Sequence, residues 1–465
     1  MLRRRTMLGA LVTAAIGTSL PAPSVIAQAA PTPSATGSTR RRLPWRNWSG
    51  SQQCLPAARL APANVAQLQE LIASATGPVR PVGAGHSFTP LVPTDGTIVS
   101  LSRLNGLLEH DAATLQATVG GGSRLGELGQ PLEDIGQALI NMPDIDEQSL
   151  AGCLATATHG TGAGIGCMST FVSALQLVDS RGDVIDCSET QRPELFNAAK
   201  VSLGSLGVVT QVTLQNVEPY RLRRETVWRE FDEILEVAET MADSHRNFEF
   251  YYIPFSGMGF TDAHDYSDEA PSSTGKIDPN ESVYDLRTAR DFLSWSPRLR
   301  ELILGGYART LADEVTIENS WKNYASERNV RFNEMEYHLP REYGLQAMRE
   351  VRQALESKHS EVFFPIEVRF VKGDDLWLSP FYQRDTCSIA VHRYFDEDFA
   401  PYFRTIEPIF RKYHGRPHWG KHNTLGRDEL RALYPRWDDF VAMRHEVDPQ
   451  GRFLNPYLRS LFAAG

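Results

Sequence analysis

Two runs rich in small residues constrain what this chain can fold into more than any other feature. Residues 81–88 read Pro-Val-Gly-Ala-Gly-His-Ser-Phe, and residues 149–162 read Ser-Leu-Ala-Gly-Cys-Leu-Ala-Thr-Ala-Thr-His-Gly-Thr-Gly. Glycines at strand-to-loop corners let backbone N–H groups approach phosphate oxygens, which is how nucleotide pyrophosphates are commonly held. Small Ala and Thr side chains between them let a flat ring or a phosphate chain lie against the backbone. Either run alone serves a turn as readily as a ligand. Together, separated by a mixed α/β pattern, they are much more specific. The dinucleotide fingerprint is absent: Gly162-Ala163-Gly164-Ile165-Gly166 follows no strand and opens no clear helix.

From residue 43 to 217 short strands and helices alternate. Val65, Leu68, Leu71 and Ile72 have helical spacing over 65–75, and 79–82 reads as a strand running into Gly83. Residues 97–101 and 115–119 are strand-like, the latter running into Gly120-Gly121-Gly122. Residues 125–139 look helical, 175–178 with 183–186 look like a hairpin, and 208–214 alternates as a half-buried strand does. Beyond Tyr220 aromatic and charged residues rise. Residues 248–253, 331–337 and 362–370 read as strands, with an amphipathic helix over 341–355, and the polar stretch 262–280 reads as a surface loop. A second α+β unit, an antiparallel sheet with helices, is expected to cover the first.

With 465 residues, two compact domains are expected. A net charge of -10 with no basic stripe excludes a nucleic-acid partner. Arg3-Arg4-Arg5, an apolar stretch over 8–20 and Ala27-Gln28-Ala29 have the layout of an export signal, and the paired arginines fit the twin-arginine type. A periplasmic or secreted protein, soluble once the signal is removed, is therefore expected. Residues 30–42, rich in Pro, Ser and Thr, read as a flexible leader. Five cysteines without CxxC spacing indicate neither a zinc site nor a dense disulfide frame.

Two further patterns carry chemistry. In Ile366-Glu367-Val368-Arg369-Phe370, Glu367 and Arg369 fall on one face of a strand. Such charges on an otherwise apolar strand are costly unless paired or functional, so they form either a structural ion pair or part of a site. His414, His418 and His422 recur every four residues, but Gly415, Pro417 and Gly420 interrupt any helix there, and no metal site is expected.

On these motifs the chain resembles the vanillyl-alcohol oxidase flavoprotein superfamily, and from Asn47-Trp48 to Pro456-Tyr457 its sugar-1,4-lactone oxidoreductase branch, with L-gulonolactone, D-arabinonolactone and alditol oxidases. The resemblance implies an α+β, two-domain flavoprotein: an FAD-binding domain of the PCMH type over 43–217, a substrate-binding cap over 218–420, and a C-terminal segment 421–465 returning to the FAD domain, after a signal over 1–29. It implies FAD held by Gly83, Ala84, Gly85, His86, Ser87, Ser149, Gly152, Thr156, Thr158, His159, Gly160 and Val209, with a covalent bond through His86. Such a bond raises the flavin potential and prevents cofactor loss outside the cell.

The same resemblance gives Glu367 and Arg369 the substrate hydroxyls, places Lys421 beside the flavin N1 and C2 carbonyl with His418 shaping the pocket, and runs Pro143-Asp144 past the reacting face. A cation near N1 stabilises the reduced, anionic ring. The implied reaction is hydride transfer from a lactone CH–OH to flavin N5, giving an ascorbate-type product, with Glu367 or His392 as proton acceptor. Pro143-Asp144 stands where alditol oxidases have Ala-Ser, and those enzymes place Thr near His392, which favours a lactone over a polyol. Pro143 leans toward O2 as acceptor, and the likeness to dehydrogenases leaves a cytochrome or quinone open. A periplasmic sugar-binding protein, the reading from another class, would have no need of His86, Glu367, Arg369 and Lys421.

Overall fold

Strand pairing in this chain changes character at about residue 220. Before it, a parallel three-stranded sheet orders Ala58–Leu60, Thr97–Ser100 and Val79–Val82. The helix Val65–Ser74 connects the two outer strands, capped by the Asn64 side chain and buried through Leu68 and Ile72. An antiparallel five-stranded sheet follows, in the order Leu107–Asp111, Gln116–Gly120, Val208–Gln215, Val172–Val178 and Val184–Ser188. After residue 220, the described residues form nine strands in one antiparallel sheet. Its middle runs Met258–Tyr266, Asn247–Tyr252, Ile366–Val371, Thr386–Tyr394 and Phe332–Pro340.

The computed structural model describes residues 42–274, 279–325 and 329–463. The export signal over 1–29 and the leader over 30–42 lie outside these apart from Arg42. Among the described residues no helix is long and apolar enough to cross a membrane.

The mixed α+β class is as expected, with three local corrections. The stretch 262–280 is not a loop throughout. The strand Met258–Tyr266 runs through it, and Asp262 is fully buried, tolerated because Arg224 and Thr226 on the adjacent strand bond to its carboxylate. Residues 275–278 lie outside the described residues. The helix expected over 125–139 stops at Asp134, where Gly136 takes φ +75 and Ala138 turns to bond with Val217. The strand expected from 362 begins at Ile366.

The large sheet shows two chemically different faces. The helices Phe231–Ser244 and Arg341–Lys358 pack on the sheet through buried apolar residues such as Ile234, Leu235, Met348 and Val351. Register and two-residue alternation set charged and polar residues side by side on one face. Tyr251, Glu367, Ala390 and Glu336 form one row, and Glu249, Arg369, Ser388 and His338 the next. Small residues at 388 and 390 leave room for long charged neighbours.

Candidate active site

The two glycine runs meet. A Cβ on Gly83 would stand 1.8 Å from Ser149 Oγ, so the first run approaches the second only because residue 83 has no side chain. Gly121 and Gly122 extend this floor: added Cβ atoms would lie 2.4 Å from Val209 O and 1.8 Å from Leu101 O. Backbone N–H groups of Ala84, Gly85, His86 and Ser87 have no protein partner among the hydrogen bonds of the described residues. Donors of this kind beside a floor without Cβ atoms fit a pyrophosphate and a planar ring system.

Gly122→Ala is expected to purify with little or no FAD, because its clash is with backbone. Gly83→Ala should lose less, since the Ser149 hydroxyl can rotate. The flavin-to-protein absorbance ratio measures both, and equal retention in the two would remove the argument.

A cavity of about 220 Å³ opens over this floor. Of the residues expected to hold cofactor, Gly83, Ala84, Gly85, His86, Ser87, Pro143, Asp144, Ser149, Gly152, Thr156, Thr158, His159, Val209, His418 and Lys421 line it, and so does Arg369. Three expected site residues do not. Gly160 lies behind the wall, where a Cβ would meet Met142 O at 2.4 Å; its absence lets the segment before Pro143 pass. Glu367 is bonded to Arg369 one layer back. His392 sits behind Glu334, with Nε2 at 3.7 Å from that carboxylate.

His86 stacks on Trp48 with ring centroids 5.0 Å apart. Burial pushes its pKa down to about 4, and the charges of Lys421 and Arg124 push the same way. At neutral pH it is an uncharged imidazole facing the cavity. Lys421 is salt-bridged to Glu334. Burial opposes its charge, but Glu334 and Glu336 outweigh that and keep the ammonium protonated beyond its usual range.

Five carboxylates stand around these cations, and three of them, Glu249, Glu334 and Glu336, were not assigned from the sequence. Arg369 binds Asp144 at 3.1 Å, Glu249 at 3.0 Å and Glu367. Glu334 and Glu336 both line the cavity. Burial disfavours the Glu336 charge, yet His159 at 3.0 Å and His338 hold its pKa well below the carboxylate range. His418 is pushed down to about 3 by burial, Glu336 opposing, and its Nδ1 accepts from Gly420 N–H. Glu334 and Glu336 carried a legible signal: acids two apart in a strand-like run share a face, as Glu367 and Arg369 do.

Comparison with known proteins decides what this arrangement is. The D-arabinono-1,4-lactone oxidase family profile matches residues 212–461, and an FAD binding domain matches residues 56–188. The chain belongs to the D-arabinono-1,4-lactone oxidase family. Its cofactor is FAD, and as a lactone oxidase family member it falls among FAD-dependent sugar-lactone oxidoreductases.

Among relatives of this family, the L-gulono-1,4-lactone dehydrogenase of Mycobacterium tuberculosis (strain ATCC 25618 / H37Rv) is 40% identical over 426 residues, covering 89% of this chain and 98% of that protein. The L-gulonolactone oxidase of Bos taurus is 31% identical over 434 residues, covering 90% and 98%. The alditol oxidase of a Streptomyces species is 29% identical over 434 residues, covering 89% and 98%. In fold the chain is similar to cholesterol oxidase from B. sterolicum, with a TM-score of 0.75 at 17% identity, covering 93% of this chain and all of that one.

Proposed function

We propose that the enzyme oxidises the ring carbinol of a sugar-1,4-lactone of the gulono, galactono or arabinono type, yielding an ascorbate-type product. The observation that carries this is the shared cavity: the His86 loop, Lys421 and the Asp144–Arg369 pair all face one space. Bound there, FAD supplies the hydride acceptor. Arg369 presents N–H donors in a fixed fork, suited to the oxygens of a polyhydroxylated ring. Asp144 accepts from hydroxyls on the same side. Lys421, kept charged by Glu334, stabilises negative charge that develops beside it. Glu367 and His392 are the two candidates for the hydroxyl proton.

Anaerobic mixing with L-gulono-, L-galactono- and D-arabinono-1,4-lactone should bleach the flavin, and xylitol should not. Bleaching by xylitol alone would replace this reading with a polyol oxidase. Reoxidation in air separates O2 from a cytochrome or quinone as the acceptor; Pro143 favours O2.

His86 is proposed to bond covalently to the flavin, because a buried neutral imidazole is a competent nucleophile where a protonated one is not. Acid-precipitated enzyme should stay yellow, and His86→Ala should release its flavin to the supernatant. A colourless wild-type precipitate would exclude the bond. The arginines at 3–5 support a further reading, export by the twin-arginine route, which retention of a reporter fused to residues 1–42 would remove.

A further inference from the structure

On the sheet face behind the cavity wall, Tyr251 stands opposite Glu367, and Glu249 opposite Arg369. The Tyr251 hydroxyl lies 2.9 Å from Glu249 Oε1 and 2.5 Å from Glu367 Oε1. A phenol has one proton to donate. It can satisfy one of these oxygens, and it then faces the other lone pair to lone pair. The second contact is a hydrogen bond only if that carboxyl brings a proton of its own.

Charge gives the same count. Glu249 and Glu367 both bond the one guanidinium of Arg369, and Arg224 beside them is committed to Asp262; Asp144, also on Arg369, lies in the field of Lys421 as well. Glu249 and Glu367, ionised together, would leave one negative charge that Arg369 does not compensate, with all three groups under a tenth exposed. Buried groups in that position take up a proton instead.

We infer that Glu249, Tyr251 and Glu367 hold one proton beyond the phenol's own, shared between the two carboxyls, so that Glu367 backs Arg369 as half of an acid pair and is not the base of the reaction. This rests on the cavity being the substrate site proposed above. Glu249 and Tyr251 do not reach the cavity; they act through Arg369 and Glu367 as positioning residues. Of the two candidates for the substrate's hydroxyl proton, His392 remains; it stands behind Glu334, so a proton from the cavity reaches it through that carboxylate.

Burial pushes the Glu367 carboxyl up to about 8, with Arg369 opposing and Asp144 and Glu249 adding. The extra proton is therefore present at neutral pH and lost as the pH rises through about 8. Its loss adds a negative charge beside Arg369, and kcat/KM should fall over the same range, chiefly through KM.

The direct test is pH-difference infrared spectroscopy of the substrate-free holoenzyme labelled with 13C-glutamate. A protonated carboxyl band should be present at pH 7 and disappear through about pH 8. It should vanish in Glu249→Gln, whose amide donates to the phenol oxygen, and persist in Asp144→Asn, which leaves the double contact in place. A wild-type spectrum without the band, or its survival in Glu249→Gln, would overturn the inference. Because no substrate is present, the result is independent of which compound the enzyme oxidises; the wild-type titration alone decides if the variant does not fold.

Discussion

Arg369→Met should be nearly inactive, with kcat/KM reduced about a thousandfold, the upper range for loss of one buried stabilising donor group. The same variant should lose about 3–5 kcal/mol of stability, as expected when one partner of a buried ion pair is removed. Both effects have one cause. Arg369 is the cation on which Asp144, Glu249 and Glu367 converge, and it is also the guanidinium that reaches the cavity. Methionine fills the space without the charge, and the carboxylates must then take up protons or admit water. Arg369→Lys separates the two roles. An ammonium keeps the charge but offers no planar fork, so stability should recover more than turnover. Steady-state kinetics and urea unfolding of both variants check this. Activity of the methionine variant within tenfold of wild type would show that Arg369 does not contact the substrate.

The strand carrying Arg369 was legible because the decisive information is local. Glu367 and Arg369 are two residues apart, and any strand puts them on one face. Their partners were not legible for the opposite reason. Glu249 meets Arg369 across a separation of 120 residues, through a register that sequence alternation does not specify. Asp262 misled for a related reason. Its polar surroundings resemble a loop until Arg224 and Thr226 arrive from the adjacent strand and make burial tolerable. The glycine runs were the most readable feature, since a missing Cβ constrains backbone approach whichever strands supply it. Even there Gly160 differs from its neighbours, because it admits the protein's own backbone at Met142 and does not line the cavity.

The largest effect on folding should come from Arg80→Met, far from any reacting atom. Arg80 is almost fully buried, and its guanidinium donates to four backbone carbonyls: Leu91 and Leu203, each at 2.8 Å, Gly204 at 2.8 Å, and Phe453. These carbonyls belong to three separate parts of the chain. The strand Val79–Val82, which leads into the His86 loop, is thereby tied to the turn before Val208–Gln215 and to the C-terminal segment. The last is also held by Val79 N–H donating to Arg452 O, and by the Asn455 amide donating to Pro90, Leu91 and Pro93 carbonyls. Methionine preserves most of the volume and removes every donor. Four buried acceptors would then be stranded at about 1–3 kcal/mol each. These costs do not add fully, and water entering the site recovers part, so a loss of about 4 kcal/mol or more is the expected result. Lysine at the same position can serve only some of the carbonyls and should fall between. Arg436→Ala is the control, since its pair with Asp439 is half exposed and such pairs contribute about 0–1 kcal/mol. Urea unfolding of the holoenzyme, followed by flavin and tryptophan fluorescence together, measures the difference. The change in flavin fluorescence should coincide with the tryptophan transition in Arg80→Met, because the glycine loop and the clip are continuous in the chain. A change in stability no larger than that of Arg436→Ala would mean that the carbonyls find other donors, and that the C-terminal segment is held without the clip.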